Sequence, residues 1–232
     1  KPSVYAKWGP SVAILSGDAM MICAYRLLSE VPAELLPRIL GTFNTMALEV
    51  CEGQQYDMDF ESKRKVSVVE YMHMIELKTS VLLAGSVTIG AMLGGASEED
   101  CRKLRRFAIE LGLAFQLQDD LLDSYGDDRL GKAIGGDILA GKKTFMLINA
   151  LTHANDSQRK ELEQWLAIND RPKEKIEAVT RLYNEIGIDR MATEKIAFYF
   201  TESHRYLEAV NVDESRKIEL RRYAERMMKR QY

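Results

Sequence analysis

Three carboxylates lie close together in the segment Phe115–Asp123, FQLQDDLLD. Asp119 and Asp123 are four residues apart and Asp120 and Asp123 are three apart, so on a helix all three side chains project toward one side. Like charges at this spacing destabilise a helix unless a positive group is held against them. Mg²⁺ suits this role, because it binds carboxylate oxygens, keeps several waters and shares the phosphates of a substrate. The spacing therefore predicts a magnesium site on a helix.

The alternative is a solvated acidic face, which is the usual reason for a cluster of acidic residues. The surrounding sequence favours an enclosed helix instead, because apolar residues flank the carboxylates. These residues are Leu111, Leu113, Phe115, Leu117, Leu121 and Leu122. Buried acidic groups need partners, so the metal interpretation is preferred.

Three lysines lie where they could neutralise a diphosphate beside this helix. Lys78, followed by Thr79, stands at the start of a long apolar run, and Lys132 and Lys142 lie in a glycine-rich segment after the aspartates. A single lysine is more often a surface residue than a ligand, but the placement of all three around one acidic helix favours binding. Asp137 is the acidic residue between the two loop lysines.

Another polar pair, Gln54 and Asp57, lies one helical turn apart and could face the same cavity. A polar helix end explains this spacing equally well. The segment 126–141 contains five glycines and several charged residues, which predicts a long functional loop without regular structure.

The whole sequence is that of a soluble globular protein. It has 232 residues, 46% of them hydrophobic and 29% charged, and a net charge of -3 with a pI near 5.8, which argues against nucleic acid as a partner. Cys23, Cys51 and Cys101 have no metal-ligand spacing and are predicted to be small buried residues of a reducing, cytoplasmic compartment.

Helical periodicity dominates and no strand alternation is evident, which predicts an all-α protein without a separate second domain. Asp156 and Asp213 are the expected N-caps of two helices, and Ser97 with Asp100 resembles a capping box. The predicted helices cover residues 11–30, 33–57, 67–95, 98–124, 144–154, 157–168, 172–187, 189–209 and 213–231.

The uncharged stretch Thr79–Ser97 is nearly long enough to span a membrane. Its many glycines, serines and threonines favour a fully buried central helix instead, so no transmembrane segment is predicted. Four glycines are expected to let neighbouring helices approach closely: Gly85, Gly90, Gly94 and Gly95.

Several motifs in the order found here resemble the trans-isoprenyl diphosphate synthases, also called polyprenyl synthetases. FQLQDDLLDSYGD resembles their second aspartate-rich motif, and LGKAIGGDILAGKKT resembles the loop that contacts diphosphate. EGQQYDMDF and ELKTSVLL match the preceding helices, and KPSVYAKWG with ILSGDA matches the stretch after the first aspartate-rich motif. The likeness runs from residue 1 to about residue 150 and continues more loosely to the C-terminus. It is strongest to bacterial short-chain enzymes that make farnesyl or geranylgeranyl diphosphate.

The resemblance implies a single-domain helical bundle of the isoprenoid synthase type, of which residues 1–232 are the C-terminal part. The N-terminal helices, and with them the family's first aspartate-rich motif, are expected to be missing from this chain. Residues 1–232 alone are therefore expected to be inactive.

The resemblance also implies roles for individual residues. Asp119, Asp120 and Asp123 match the motif that binds Mg²⁺, and Asp137 matches a residue that holds metal-bound water. The residues that match positions near the allylic diphosphate or the developing cation are Lys78, Thr79, Gln116, Lys132 and Lys142. Among these, Lys78, Thr79 and Lys132, with Asp119, are expected to be catalytic, whereas Gln54 and Asp57 match a polar pair lining the substrate pocket.

The implied activity is the head-to-tail addition of isopentenyl diphosphate to dimethylallyl, geranyl or farnesyl diphosphate, giving a C15–C20 product. The family also implies a homodimer. A terpene cyclase and a non-catalytic partner subunit of a prenyl synthase are the two alternatives. The aspartate-rich motif and the lysines favour chain elongation over cyclisation.

Overall fold

The computed structural model describes residues 2–126 and 134–229, and every regular element within them is helical. The predicted all-α fold is therefore confirmed. The α-helices are α1 Val4–Trp8, α2 Pro10–Leu28, α3 Leu36–Ser62, α4 Val68–Ile75, α5 Val81–Leu93, α6 Glu98–Tyr125, α7 Gly136–Ala140, α8 Phe145–His153, α9 Asp156–Ala167, α10 Pro172–Ile186, α11 Ile188–Glu208 and α12 Glu214–Met228, and a π-helical turn, Glu76–Ser80, joins α4 to α5.

Helix α6 is the centre of the bundle, and α5 and α11 pack along it. The Ser97 hydroxyl accepts a hydrogen bond from the Asp100 amide at 3.1 Å and so caps its first turn. Asp100 and its acidic neighbours lie at the positive end of the helix dipole. The Asp100 carboxylate also accepts a hydrogen bond from the Asn211 amide at 2.9 Å, which fastens the connection between α11 and α12 to the start of α6.

The apolar helix predicted over 67–95 is present, but the π-helical turn interrupts it and one of its faces is exposed. Leu82 and Leu93 are 49% and 48% exposed, so the expectation of a fully buried helix is wrong for the α5 portion. A Cβ on Gly85 would lie 2.3 Å from the Met46 sulfur, which confirms a close helix approach there. Nothing lies within 4 Å of the corresponding positions at Gly90 and Gly95, so that expectation is wrong for both.

In the part of the chain that the structure describes, two helical stretches are long and apolar enough to cross a membrane by length and composition alone, Pro10–Leu28 and Val68–Leu93. None of the first and 44% of the second is buried inside the protein. Apolar helices that pack against protein meet the same criterion, so this observation alone does not assign a membrane span.

Three local predictions are corrected by the structure. Cys101 is buried as expected, but Cys23 and Cys51 are exposed, and Cys23 lies in α2, none of whose residues is buried. The N-cap of α9 is Asn155, which forms a capping box with Gln158, whereas the predicted cap, Asp156, is the first helical residue.

The segment predicted as an unstructured loop contains the short helix α7. Gly135 and Gly141 flank it with φ angles of 78° and 62°, a left-handed conformation that glycine adopts without strain. These two glycines therefore begin and end a helical turn within the segment predicted to lack regular structure.

Candidate active site

The three aspartates of α6 have different surroundings. Asp120 is buried, accepts a hydrogen bond from the Tyr71 hydroxyl, and accepts a second from the Gln116 amide at 3.3 Å. Burial raises the pKa of Asp120 to about 7, although the Tyr71 hydrogen bond opposes the shift. Asp119 and Asp123 are only partly buried. The expectation that all three project in one direction therefore needs correction for Asp120, which points toward α4.

Asp123 holds the start of α7 against the end of α6. Its carboxylate accepts a hydrogen bond from the Asp137 amide at 2.9 Å, and its backbone carbonyl accepts one from the Gly135 amide at 2.7 Å. Burial raises the pKa of Asp137, and the negative charges of Asp123 and Asp119 raise it further, while Lys142 opposes them. Asp119, Asp123 and Asp137 therefore form one cluster of negative charge.

Two lysines from other elements pair with Asp57, a carboxylate whose charge also acts on Asp137 of this cluster. Lys78, in the π-helical turn, forms an ion pair with Asp57 of α3. The Lys142 ammonium lies 3.8 Å from the other carboxylate oxygen of Asp57, so one carboxylate lies between the two cations. Asp57 and Lys142 line a recess of about 280 Å³ together with Phe60, Glu61, Ala140, Gly141 and Lys143.

A chain of hydrogen bonds connects the π-helical turn to the aspartates. The Thr79 hydroxyl donates to the Gln116 side-chain oxygen at 3.0 Å, and the Gln116 amide donates to Asp120. Gln116 therefore has a fixed orientation between the hydroxyl of Thr79 and the carboxylate of Asp120.

The structure thus brings together most of the residues selected from the sequence. They are Asp57, Lys78, Thr79, Gln116, Asp119, Asp120, Asp123, Asp137 and Lys142. Gln54 lies one turn before Asp57 and is exposed, so it is not brought into this network. Lys132 lies outside the described residues.

Within residues 2–126 and 134–229, no three histidine, cysteine or acidic side chains stand at metal-binding spacing. The chemistry of the cluster nevertheless fits a hard cation, because carboxylate oxygens are the ligands Mg²⁺ prefers and the charges of Asp119 and Asp123 both act on Asp137.

Sequence reasoning missed Tyr71, which is 1% exposed and is the partner of Asp120. It precedes Asp120 by 49 residues and lies among apolar residues of α4, so it has the pattern of a core residue. The only available signal was its hydroxyl, because a buried tyrosine usually needs a hydrogen-bond partner.

An all-α bundle that carries clustered aspartates at the end of its central helix, facing lysines from a helix turn and a loop, has the architecture of an isoprenoid synthase. Residues 1–186 match the family model described as polyprenyl synthetase, and the chain belongs to this family.

Two relatives illustrate the range of similarity. The geranylgeranyl diphosphate synthase of Methanosarcina mazei is 44% identical over 153 residues, which are 64% of this chain and 47% of the relative. The geranylfarnesyl diphosphate synthase of Natronomonas pharaonis is 32% identical over 234 residues, which cover 100% of this chain and 67% of the relative. The chain spans about half the length of several curated relatives it matches.

Solved structures agree with this assignment. A geranylgeranyl pyrophosphate synthase superposes with a TM-score of 0.93 at 36% identity, covering 100% of this chain and 72% of that one. The geranylgeranyl pyrophosphate synthetase of Pyrococcus horikoshii Ot3 superposes with a TM-score of 0.91 at 29% identity, covering 100% and 71%.

Proposed function

We propose that this protein is a prenyltransferase that adds isopentenyl diphosphate head to tail to an allylic diphosphate, giving a short-chain product of C15–C20. The observation that carries the proposal is that Lys78 and Lys142 both pair with Asp57, and that the charges of Asp57 and Lys142 act on Asp137 beside the aspartate end of α6. Relatives named as geranylgeranyl, short-chain isoprenyl and farnesyl diphosphate synthases support the same reaction class.

Lys78 and Lys142 would bind the allylic diphosphate. An ammonium group is a compact charge that suits phosphate oxygens, and both lysines already share the Asp57 carboxylate as a counter-ion. An entering diphosphate would compete with Asp57 for them. Lys132 is proposed as a third cation of this group.

Asp119 and Asp123 would hold Mg²⁺, and Asp137 would orient a water bound to the ion. Asp120, which is bonded to Tyr71 and Gln116, would support this end of α6 from the interior rather than bind the ion directly. When bound, Mg²⁺ neutralises charge on a departing diphosphate. The position of Asp137 follows from its own hydrogen bond to Asp123, which fixes α7 beside the acidic end of α6.

The reaction begins when the allylic C–O bond breaks and the diphosphate leaves with the electron pair, stabilised by the lysine charges. The double bond of isopentenyl diphosphate then attacks the allylic cation, and loss of one proton gives the longer prenyl diphosphate and inorganic diphosphate. The oxygens of Thr79 and Gln116 lie at the border of the site, where they would stabilise the cation.

Product analysis tests this proposal against the two alternatives. The intact protein is incubated with Mg²⁺ and farnesyl or geranyl diphosphate, with and without isopentenyl diphosphate, and the products are separated by chromatography. Elongated prenyl diphosphate that forms only with both substrates supports the proposal. A hydrocarbon formed from the allylic substrate alone would identify a terpene cyclase, and no product in either mixture would favour a non-catalytic partner subunit.

The oligomeric state, the cellular location and the role of Gln54 are also proposed from the family. A homodimer would show twice the chain mass in light scattering, and a cytoplasmic location without a membrane span is proposed from the family. Gln54 is proposed to approach the substrate pocket with Asp57.

A further inference from the structure

The π-helical turn Glu76–Ser80 packs against a glycine of α3. A Cβ built on Gly53 would lie 2.3 Å from the Lys78 nitrogen, and 2.7 Å from both the Leu77 carbonyl carbon and the Lys78 Cα. These are backbone atoms, which cannot rotate away as a side chain can. Ordinary contact needs about 3.5 Å, so only glycine lets α3 lie this close to the turn.

A second glycine holds the other end of the same turn. A Cβ on Gly112 of α6 would lie 2.6 Å from the Ser80 Oγ and 2.7 Å from the Ser80 Cα. Ser80 is fully buried, so it has no free space into which it could move. The turn that carries Lys78 and Thr79 therefore lies between two helices that approach it closely. Only glycine, which has a hydrogen atom in place of a side chain, fits at the two points of contact.

Each glycine also lies one helical turn before the residue that bonds this turn. Gly53 precedes Asp57, the ion-pair partner of Lys78, and Gly112 precedes Gln116, which accepts a hydrogen bond from Thr79 at 3.0 Å. Residues four apart share one face of a helix. The close backbone approach at each glycine therefore fixes how far the turn lies from the next residue on the same helix face. That residue is Asp57 in α3 and Gln116 in α6.

We propose that Gly53 and Gly112 are positioning residues, which place Lys78 and Thr79 for diphosphate binding by fixing the π-helical turn against α3 and α6. The inference rests on the proposed function, since it assigns these glycines to the diphosphate site. A methyl group at either position would overlap atoms of the turn and push the turn away from that helix. It would thereby shift Lys78 or Thr79 relative to the aspartates of α6.

The test compares Gly53→Ala and Gly112→Ala with Gly41→Ala in the intact protein. Gly41 also lies in α3, and nothing stands within 4 Å of the position of its missing Cβ. Alanine favours a helix over glycine at every one of these positions, so helix propensity cannot explain a loss. The measurements are the Kd for inorganic pyrophosphate with Mg²⁺ by calorimetry, kcat and KM, and the melting temperature.

We expect Gly53→Ala and Gly112→Ala to raise the pyrophosphate Kd about tenfold, and to lower kcat/KM by about 10- to 100-fold, as misplacement near 1 Å commonly does. Gly41→Ala should match the wild type in all three measurements. The loss of binding should persist at temperatures well below the melting point of each variant, because a structural defect alone lowers the amount of folded protein and not the affinity of what remains.

Wild-type affinity in folded Gly53→Ala and Gly112→Ala would overturn the inference. Failure of both variants to fold would also overturn it, because the glycines would then serve the packing of the whole bundle. If neither the wild type nor Gly41→Ala bound pyrophosphate, the proposed function itself would fail. The control therefore separates the two failures.

Discussion

At the scale of single residues, the site depends on how three neighbouring aspartates are divided between tasks. Asp120 is buried and bonded to Tyr71 and Gln116, whereas Asp119 and Asp123 lie at the partly exposed end of α6 with Asp137. Consecutive helix positions are rotated by about 100° from each other. One helical segment therefore presents the Asp120 carboxylate to the protein interior, while the charge of the neighbouring Asp119 acts on Asp137.

Asp119→Ala should reduce turnover by about 10²- to 10³-fold, the usual loss when one electrostatic contact to a transition state is removed. The helix itself should remain, because Asp119 is not one of its capping residues. Steady-state kinetics and circular dichroism of the intact protein check both statements. Glu99→Ala, at the opposite end of α6, is the control and should keep normal turnover; near-normal turnover in Asp119→Ala would contradict its assigned role.

Lys142→Ala should mainly weaken binding of the allylic diphosphate. The expected result is an increase of about tenfold in its KM, since a charge-assisted hydrogen bond contributes roughly 1.5–3 kcal/mol. The Lys142 ammonium is 3.8 Å from Asp57, so its removal should leave Lys78 paired. Lys160→Ala, on the exposed side of α9, is the control. Unchanged kinetics in Lys142→Ala would remove this lysine from the site.

Glu110 should make stability depend on pH. Burial raises its pKa above the ordinary value of 4.5; Glu202 and Glu76 add to the shift, while Arg106 and Arg205 oppose it. The folded state therefore holds the proton more tightly than the unfolded state, so this contribution to stability is complete below pH 4.5 and is lost as pH rises through the folded pKa.

Glu110→Gln replaces the ionisable carboxyl group with an amide that does not titrate. The free energy of unfolding, measured in urea at several pH values from 4 to 7, should fall less steeply with rising pH in the variant than in the wild type. The exposed Glu99→Gln substitution is the control and should leave the slope unchanged. Equal slopes in Glu110→Gln and the wild type would refute the prediction.

At the scale of elements, the boundary of α7 depends on a buried lysine of α10. The Lys175 ammonium donates to the Leu166 carbonyl at 3.1 Å and to the Leu139 carbonyl at 3.4 Å, which belong to the last turns of α9 and α7. Burial lowers the pKa of Lys175. A positive group at two helix C-termini satisfies carbonyls that lack partners and complements both dipoles.

Lys175→Met should lower the free energy of unfolding by about 1–3 kcal/mol, because two helix-end carbonyls lose their donor. Hydrogen exchange in α7, which carries Asp137, should accelerate as well. Lys173→Met is a matched control, since Lys173 is exposed on the same helix. Equal urea midpoints for the two variants would show that Lys175 does not hold the ends of α7 and α9.

The sequence predicted the long helices well, because their apolar periodicity and capping residues act locally. Ser97 and Glu98 mark the start of α6, for example, and the predicted range 98–124 differs from the observed helix by one residue. The π-helical turn was not predictable in this way, since nothing in the residues 76–80 departs from an ordinary helix. The residues that pack closely against it, Gly53 and Gly112, come from distant parts of the chain.

The residue types of the site were similarly predictable, but their contacts were not. Aspartate spacing identified Asp119, Asp120 and Asp123 as a group, yet it could not show that Asp120 turns inward. That orientation depends on Tyr71, which lies 49 residues earlier and contributes a hydroxyl from a helix with apolar periodicity. Long-range pairing of this kind leaves no periodic signal in the sequence.

At the scale of the whole molecule, the site depends on how four elements are arranged. Helix α3, the π-helical turn, the end of α6 and the segment around α7 each contribute charged side chains to one network, in which Asp57 lies between Lys78 and Lys142 and Asp123 accepts a hydrogen bond from the start of α7. Several apolar residues of α2 are exposed, among them Ile14, Leu15 and Ile22. A second subunit covering part of this apolar face would be consistent with the proposed homodimer.

The most direct measurement is a crystal structure of the intact protein soaked with Mg²⁺ and a non-hydrolysable bisphosphonate. We predict that oxygens of Asp119 and Asp123 bind Mg²⁺ in this structure. The bisphosphonate should lie between this ion and the ammonium groups of Lys78 and Lys142. A bisphosphonate bound elsewhere, or an acidic end of α6 that faces solvent with no ion beside it, would contradict this prediction.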